Sequence, residues 1–372
     1  MPLHRLLLSL AIALIFSMGL LMVFNTSAAD VLDRDLSAST HYALSRQVGY
    51  ALLAFIAALI TYLIGYEALL TLSPLLFLLT LVALLLVFIP GVGQVRNGAH
   101  RWVGMGLFSF QPSELAKLTL PLYCIDRLSR TLKRRDYAIS GGAVSLGLIL
   151  VLLEPDNGTT LILGMLLATV LWLMGLPLRR FLAPLGGLAA IGALFASRSA
   201  YVMQRIKVYL HPESDLLGKG HQPYQAKIAA GSGGLFGKGV GASLQKLSYL
   251  PEAQNDYIAA IFAEEFGFLG ILALIFLYAL ITAIGLFIAE RAESRRGFAV
   301  AAVMTFLFAI QAFFNLGVVS GLVPTTGLNL PFFSQGGTSL IASSVLMALL
   351  FSVDRGRRAA RTAHSSPAQA HL

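Results

Sequence analysis

Charged side chains are scarce in this chain. Asp, Glu, Lys and Arg together make up 12% of its 372 residues, whereas a soluble domain carries about 25%. Hydrophobic residues make up 57%, and the mean hydropathy is +0.77. A composition this apolar excludes a soluble globular domain and predicts a polytopic membrane protein.

Cysteine and the common hydrolase motifs are also lacking. Cys124 is the one cysteine, so the chain forms no intramolecular disulfide, and we interpret Cys124 as a small buried hydrophobe. The sequence contains no HExxH, no Cys/His cluster and no GxSxG. A glycine-rich run at 231–241 lacks the GK[ST] ending of a phosphate-binding loop. These absences exclude zinc hydrolysis, serine-hydrolase chemistry and P-loop nucleotide binding.

Long apolar runs are abundant, and most reach the roughly 17–25 residues that a membrane-spanning helix needs. They predict an all-α fold of about ten transmembrane helices, with both termini on the same side. The expected spans are 6–24, 48–66, 69–90, 114–128, 140–154, 158–176, 181–197, 260–288, 298–319 and 336–353.

The positions of the basic residues predict the orientation. Short connections on one side hold 15 of the 27 Lys and Arg residues, and the positive-inside rule makes that side cytoplasmic. Both termini are then cytoplasmic, and the loops at 25–47, 91–113 and 198–259 face outward, the last between helices 7 and 8. Because the net charge of +9 comes from these short blocks, we expect no nucleic-acid partner. The set is Arg5, Arg127, Arg130, Lys133, Arg134, Arg135, Arg179, Arg180, Arg291, Arg295, Arg296, Arg355, Arg357, Arg358 and Arg361.

The predicted domain organisation is simple. Residues 1–354 form a single transmembrane domain, and the basic, Ala/Ser/Pro-rich tail at 355–372 is expected to be a disordered cytoplasmic segment. Residues 1–29 resemble a signal peptide, but their apolar stretch exceeds the usual h-region of about 7–15 residues. We therefore expect a retained first helix.

Acidic residues beside one apolar run give the strongest functional signal. The stretch LPEAQNDYIAAIFAEEFG (250–267) contains Glu252, Asp256, Glu264 and Glu265. A carboxylate at membrane depth is costly, so such acids indicate a functional site. Glu252 and Asp256 are four residues apart and would share one face of a helix.

Three further polar segments lie on or near the predicted outer side. In RWVGMGLFSFQPSELAKL (101–118), Glu114 and Lys117 either form an intrahelical ion pair or leave Lys117 available to a phosphate. In LLEPDNGTTLIL (152–163), Glu154 and Asp156 are either solvated turn residues or ligands of a divalent cation. The Gly/Pro-rich segment 321–341 predicts non-helical backbone lining a cavity.

These motifs, in this order over residues 45 to 353, resemble the SEDS family (shape, elongation, division and sporulation), whose branches include FtsW and RodA. The resemblance implies a ten-helix fold and a peptidoglycan glycosyltransferase that polymerises lipid II outside the cytoplasmic membrane. It also implies a class B penicillin-binding protein as partner, and it makes Asp256 the essential aspartate. EPDNGTT and QNDYI resemble the FtsW branch more than RodA. Departures from the family pattern occur at Glu154, Gln254 and the run from Ser334 to Ser339.

The resulting hypothesis assigns Asp256 as the base that deprotonates the acceptor sugar hydroxyl. Mg²⁺ or Mn²⁺ is a suspected cofactor, with Glu154, Asp156 and Glu114 as candidate ligands, and other divisome membrane proteins are expected partners at the septum. A RodA-like elongation polymerase, a lipid II flippase and a non-catalytic division scaffold remain alternatives. The candidate substrate-binding residues are Lys117, Glu114, Arg101, Arg205, Glu252 and Ser334.

Overall fold

The structure is a computed structural model. It describes residues 2–34, 39–96, 99–105, 108–130, 134–175, 208–210, 212–215, 218, 220–247, 250 and 254–365. Most described residues are helical. Six helices are long and apolar enough to cross a membrane, and two shorter apolar helices cover 139–153 and 157–173.

Nine of the expected spans overlap described helices, and the expected span at 181–197 lies outside the described residues. The described helices are α1 (Leu3–Arg34), α2 (Tyr42–Ile64), α3 (Tyr66–Leu86), α4 (Pro112–Ser129), α5 (Arg134–Leu153), α6 (Asn157–Leu173), α7 (His221–Ser232), α8 (Ile258–Glu290), α9 (Arg295–Ser320) and α10 (Gly337–Ser365). Because α10 continues to Ser365, residues 355–365 of the tail that was expected to be disordered are helical.

The all-α expectation is wrong in one place, because the loop at 91–113 folds into a small antiparallel sheet. Its strands are β1 (Gly93–Arg96), β2 (Ala99–Met105) and β3 (Phe108–Phe110), in the order β1-β2-β3. The Tyr50 hydroxyl of α2 donates to the Ser109 carbonyl oxygen at 3.1 Å, which fastens the sheet to the end of the bundle. β1 and β3 are too short to give a clear alternating pattern, and the seven residues of β2, AHRWVGM, do not alternate between polar and apolar.

The described residues of the predicted basic blocks lie at helix ends that contact one another, whereas Lys133, Arg179 and Arg180 lie outside the described residues. Arg5 and His4 at the start of α1 pair with Asp354 of α10. Arg296 at the start of α9 donates to the Ser129 hydroxyl at the end of α4, at 2.8 Å. These contacts agree with the alternating direction of the predicted spans.

The helices differ in how deeply they are enclosed. α9 lies at the centre and buries most of its residues against α4, α6, α8 and α10. α2 and α3 instead expose many large apolar side chains, as lipid-facing helices do. α1 packs into the bundle through Leu8 and Ile15, both fully buried, and the retention of this helix in the mature protein stays a prediction.

Candidate functional site

Asp256 lies at the start of α8, next to the Gly/Pro-rich segment that connects α9 to α10. The Asn315 side-chain amide of α9 donates to the Asp256 carbonyl oxygen at 3.0 Å and to the Leu328 carbonyl oxygen at 2.8 Å. The Gln335 amide donates to the Gln254 carbonyl oxygen at 2.9 Å. The backbone around Asp256 is therefore held from two sides, while its side chain is half-buried.

The connecting segment also brings Asp256 close to the first turn of α6. Gly327 has a positive φ of 72°, and a Cβ placed on it would lie 3.8 Å from Asp256 Oδ2. A Cβ on Gly158 would collide with the Thr326 carbonyl oxygen. Two adjacent residues of the segment thus lie near the Asp256 carboxylate on one side and against the start of α6 on the other.

Asp156 caps α6 at this point. Its carboxylate accepts hydrogen bonds from the Thr159 amide at 3.2 Å, the Gln111 side chain at 3.1 Å and the Ser113 hydroxyl at 3.2 Å. Asp156 is buried, so the alternative of a solvated turn residue is wrong. Its N-cap bonds satisfy a helix-end amide and join α6 to α4.

Arg101 of β2 forms hydrogen bonds with the same turn. Its guanidinium donates to the carbonyl oxygens of Glu154, at 3.1 Å, and Pro155. These carbonyls follow the end of α5, where helical partners are missing. Arg101 therefore joins the sheet to the α5–α6 turn, and its binding to substrate stays a prediction.

Glu154 lies in this turn, outside both helices, and is fully buried. Neither carboxyl oxygen has a hydrogen-bond partner among the described residues. Burial, together with the nearby negative charge of Asp156, raises the pKa of Glu154 to about 9, although Arg101 opposes the shift. The carboxyl group is therefore protonated at neutral pH.

This protonation predicts a pH-dependent stability. The folded state holds the proton more tightly than the unfolded chain, so stability declines as the pH rises from about 4.5 through 9. Glu154→Gln removes the titration, and its thermal midpoint in detergent should exceed that of the parent by a margin that widens between pH 6 and pH 9. Glu213→Gln, an exposed acid, serves as the control. Parallel pH profiles for Glu154→Gln and the parent would contradict the assignment.

Glu114 and Lys117 form the expected intrahelical ion pair, with 2.7 Å between Lys117 Nζ and Glu114 Oε1. Lys117 is 1% exposed, and the pair follows Ser113, the partner of Asp156, along α4. The pairing is confirmed, whereas the contact between Lys117 and a phosphate stays a prediction. Replacing either Lys117 or Glu114 alone should strongly destabilise the fold, because removing one member of a buried pair leaves an uncompensated charge.

The remaining predicted residues fall in two groups. The Ser334 hydroxyl accepts a hydrogen bond from the Leu330 amide at 2.9 Å, so it shapes the connecting segment beside the site. Arg205 and Glu252 lie outside the described residues, and their roles stay predictions.

Several buried polar atoms around the site lack hydrogen-bond partners among the described residues. Besides the Glu154 carboxyl, they are Asn315 Oδ1, Thr326 Oγ1 and Gln335 Oε1. Buried polar groups are normally satisfied, so an accumulation of such atoms is typical of a functional site. In the sequence, Asn315 follows Gln311 by four residues in an apolar run, a spacing that puts two polar side chains on one helix face, whereas no local pattern points to Gln111, Ser113 or Thr326.

The site does not fit a preformed cage for a divalent cation. No three His, Cys, Asp or Glu side chains converge within the described part of the chain. Asp156 already accepts three hydrogen bonds, Glu114 pairs with Lys117, and Glu154 is enclosed. No step is therefore assigned to a protein-held metal.

Glu264 and Glu265 have a structural explanation. Lys238 and the Ser243 hydroxyl bind the Glu264 carboxylate, while Lys246 and the Asn25 amide of α1 bind that of Glu265. Both acids are buried and paired. Of the four acids in 250–267, only Asp256 and Glu252 remain candidates for chemistry.

Known proteins share this architecture. A sequence profile described as "Cell cycle protein", covering FtsW, RodA and SpoVE, matches residues 5–359. The probable peptidoglycan glycosyltransferase FtsW of Saccharophagus degradans is 37% identical, covering 92% of this chain and 90% of that protein. Stage V sporulation protein E of Bacillus subtilis is 37% identical, covering 95% of this chain and 97% of that protein.

Solved structures agree with the sequence relatives. A chain from work on structural coordination of polymerization and crosslinking by a peptidoglycan synthase complex is 28% identical, with a TM-score of 0.75, covering 94% of this chain and 97% of that one. The rod shape determining protein RodA of Thermus thermophilus is 28% identical, with a TM-score of 0.67, covering 94% of this chain and 96% of that one. Since the profile and the relatives span nearly the whole sequence, the chain belongs to the FtsW/RodA/SpoVE family.

Proposed function

We propose that this protein is a peptidoglycan glycosyltransferase that polymerises lipid II at the outer face of the bacterial cytoplasmic membrane. The observation that carries the proposal is the position of Asp256, held at the start of α8 between the α9–α10 connection and the capped start of α6. Names of the relatives support the reaction, and the FtsW name supports a role in septal wall synthesis.

Asp256 acts as the general base in this proposal. It accepts the proton of the acceptor sugar hydroxyl while that oxygen attacks the anomeric carbon of the donor and the polyprenyl pyrophosphate departs. The leaving pyrophosphate needs positive charge. Lys117 is the proposed cation, and Arg205 and Glu252 complete the proposed substrate site together with Arg101, Glu114 and Ser334.

We also propose that Mg²⁺ or Mn²⁺ binds together with the substrate pyrophosphate, because Mg²⁺ commonly binds phosphates with few protein ligands. Polymerisation after EDTA treatment, with each cation then restored separately, tests the requirement. An unchanged rate in EDTA would remove the cation from the proposal.

The proposed partner is a class B penicillin-binding protein that cross-links the product. A similar chain comes from work on a complex that coordinates polymerization and crosslinking, and other divisome membrane proteins would join the assembly at the septum.

Polymerisation of purified lipid II by this protein with its cross-linking partner tests the reaction. Transport of lipid II without formation of polymer would favour a flippase. The absence of both transport and polymerisation would favour a non-catalytic scaffold.

We further propose ten spans with both termini cytoplasmic, in a single domain over residues 1–354 followed by a cytoplasmic tail. Two exposed positions in opposite connections test this topology, namely Ser39 between α1 and α2 and Glu293 between α8 and α9. In a Cys124→Ala background, Ser39→Cys should react with an impermeant thiol reagent applied to intact cells. Glu293→Cys should react only after the membrane is opened, and the reverse pattern would overturn the orientation.

A further inference from the structure

α8 is broken near its outer end. Gly267 has φ 71° and ψ −167°, which are not helical values. Beyond the break, residues 268–290 extend for about 34 Å at 1.5 Å per residue, enough to cross the roughly 30 Å of a bilayer core. The break therefore marks the outer limit of the spanning part, and residues 258–266 form a half-helix that begins next to Asp256.

A glycine-rich segment, residues 231–247, is hydrogen-bonded to this break. The amides of Lys238 and Gly239 donate to the Glu264 and Glu265 carbonyls at 2.9 and 3.0 Å. On the other side of Gly267, the Phe268 amide donates to the Gly234 carbonyl at 2.9 Å. These bonds supply partners to backbone groups that an interrupted helix leaves unpaired. The segment is thus fixed at the outer end of the span.

Close backbone contact explains the glycines. A Cβ on Gly233 would collide with the Ala263 carbonyl, and a Cβ on Gly237 would collide with the Glu265 carbonyl. The glycines that resemble a phosphate-binding loop therefore allow the two backbones to approach each other closely.

The two charges of the segment are paired with buried carboxylates, and the Lys238 side chain remains 33% exposed. Lys238 and Lys246 are its only ionisable side chains. Lys238 Nζ lies 2.6 Å from Glu264 Oε1, and Lys246 Nζ lies 3.0 Å from Glu265 Oε1. Both lysine charges are therefore neutralised by buried carboxylates.

The opposite face of the segment is apolar and exposed. Phe236 is 79% exposed and Val240 76%, with Leu235 and Leu244 beside them. This face continues the lipid-facing side of α8, where Phe268 is 58% exposed, because Leu235 and Leu269 are joined by a backbone hydrogen bond of 3.1 Å. A continuous exposed apolar patch marks an interaction surface.

We propose that residues 234–244 rest in the outer leaflet, with Leu235, Phe236, Val240 and Leu244 inserted among the lipids. The phospholipid bilayer is the partner because the patch is continuous with the lipid-facing side of α8 and carries no unneutralised charge. The backbone stays at the interface, bonded to α8, as irregular backbone must. Membrane contact would then help hold the half-helix that begins next to Asp256 at the depth of the headgroups.

Spin labelling in liposomes of phosphatidylethanolamine and phosphatidylglycerol tests this placement without relying on polymerase activity. Single cysteines replace Phe236 and Val240 in a Cys124→Ala background. Phe268→Cys provides a lipid-facing reference, and Ser39→Cys provides an aqueous one. Collision with oxygen, which partitions into lipid, is compared with collision with a water-soluble nickel chelate.

Labels at 236 and 240 should show an oxygen-to-nickel collision ratio close to that at 268 and well above that at 39. A ratio like that at 39 would overturn the proposal, because the segment would then lie in water. Loss of both collision rates would also overturn it, since protein would then cover the patch. Phe236→Trp provides a second measurement, and brominated lipids should quench its added fluorescence relative to the parent.

Discussion

Asp256→Asn should lower the rate of lipid II polymerisation by about 10²–10⁴-fold, the usual contribution of a general base. Asparagine matches the shape of aspartate but does not act as the base. The hydrogen bond from Asn315 goes to the main-chain carbonyl of Asp256, so the local fold should survive the change. Gel analysis of glycan strands made from purified lipid II measures the effect.

Insertion into the membrane and binding to the cross-linking partner should be unaffected by Asp256→Asn. Glu213→Gln is the control, because it also converts an acid of the long loop into its amide, at an exposed position away from the site. The control should polymerise at the parental rate. If Asp256→Asn does so as well, Asp256 is not the base.

Lys117→Met should reduce turnover roughly ten- to a hundredfold, because a charge-assisted contact with a phosphate contributes about 1.5–3 kcal/mol. Methionine keeps much of the side-chain length but removes the ammonium. Because Lys117 is buried and pairs with Glu114 at 2.7 Å, the single change also leaves a buried carboxylate without its partner. Expression and thermal stability should therefore fall together with activity.

A double change separates the two effects. Glu114→Gln with Lys117→Met removes both charges, so expression and stability should recover while polymerisation stays low. Lys117→Arg, which keeps the charge, should retain part of the activity. Recovery of polymerisation in the double variant would show that Lys117 only neutralises Glu114 and does not act on the substrate.

The structure changed the interpretation of several residues without changing the location of the site. Arg101 is a candidate substrate-binding residue, and its guanidinium also holds two carbonyls of the α5–α6 turn. Asp156 was a candidate metal ligand, but it caps α6 and binds two side chains at the start of α4. Apart from the Thr159 amide, these partners lie more than 40 residues away in the chain, so no local pattern points to them.

The sequence by itself determined the membrane class, the helices and the segments that form the site. Each span must lie in an apolar environment of lipid or of other helices, and a long apolar run in the sequence indicates that requirement. The acid at 256 was identifiable for the same reason, because a carboxylate beside such a run is costly.

Only the tertiary structure decided which polar groups meet. It joined Asp256 to the α9–α10 connection through Asn315, enclosed Glu154 with no hydrogen-bond partner among the described residues, and used a glycine-rich segment to complete a broken helix. These outcomes depend on hydrogen bonds and close backbone contacts between distant segments. Composition and periodicity indicate whether a segment faces water or an apolar environment. They do not indicate which distant group will form a hydrogen bond with a buried donor or acceptor.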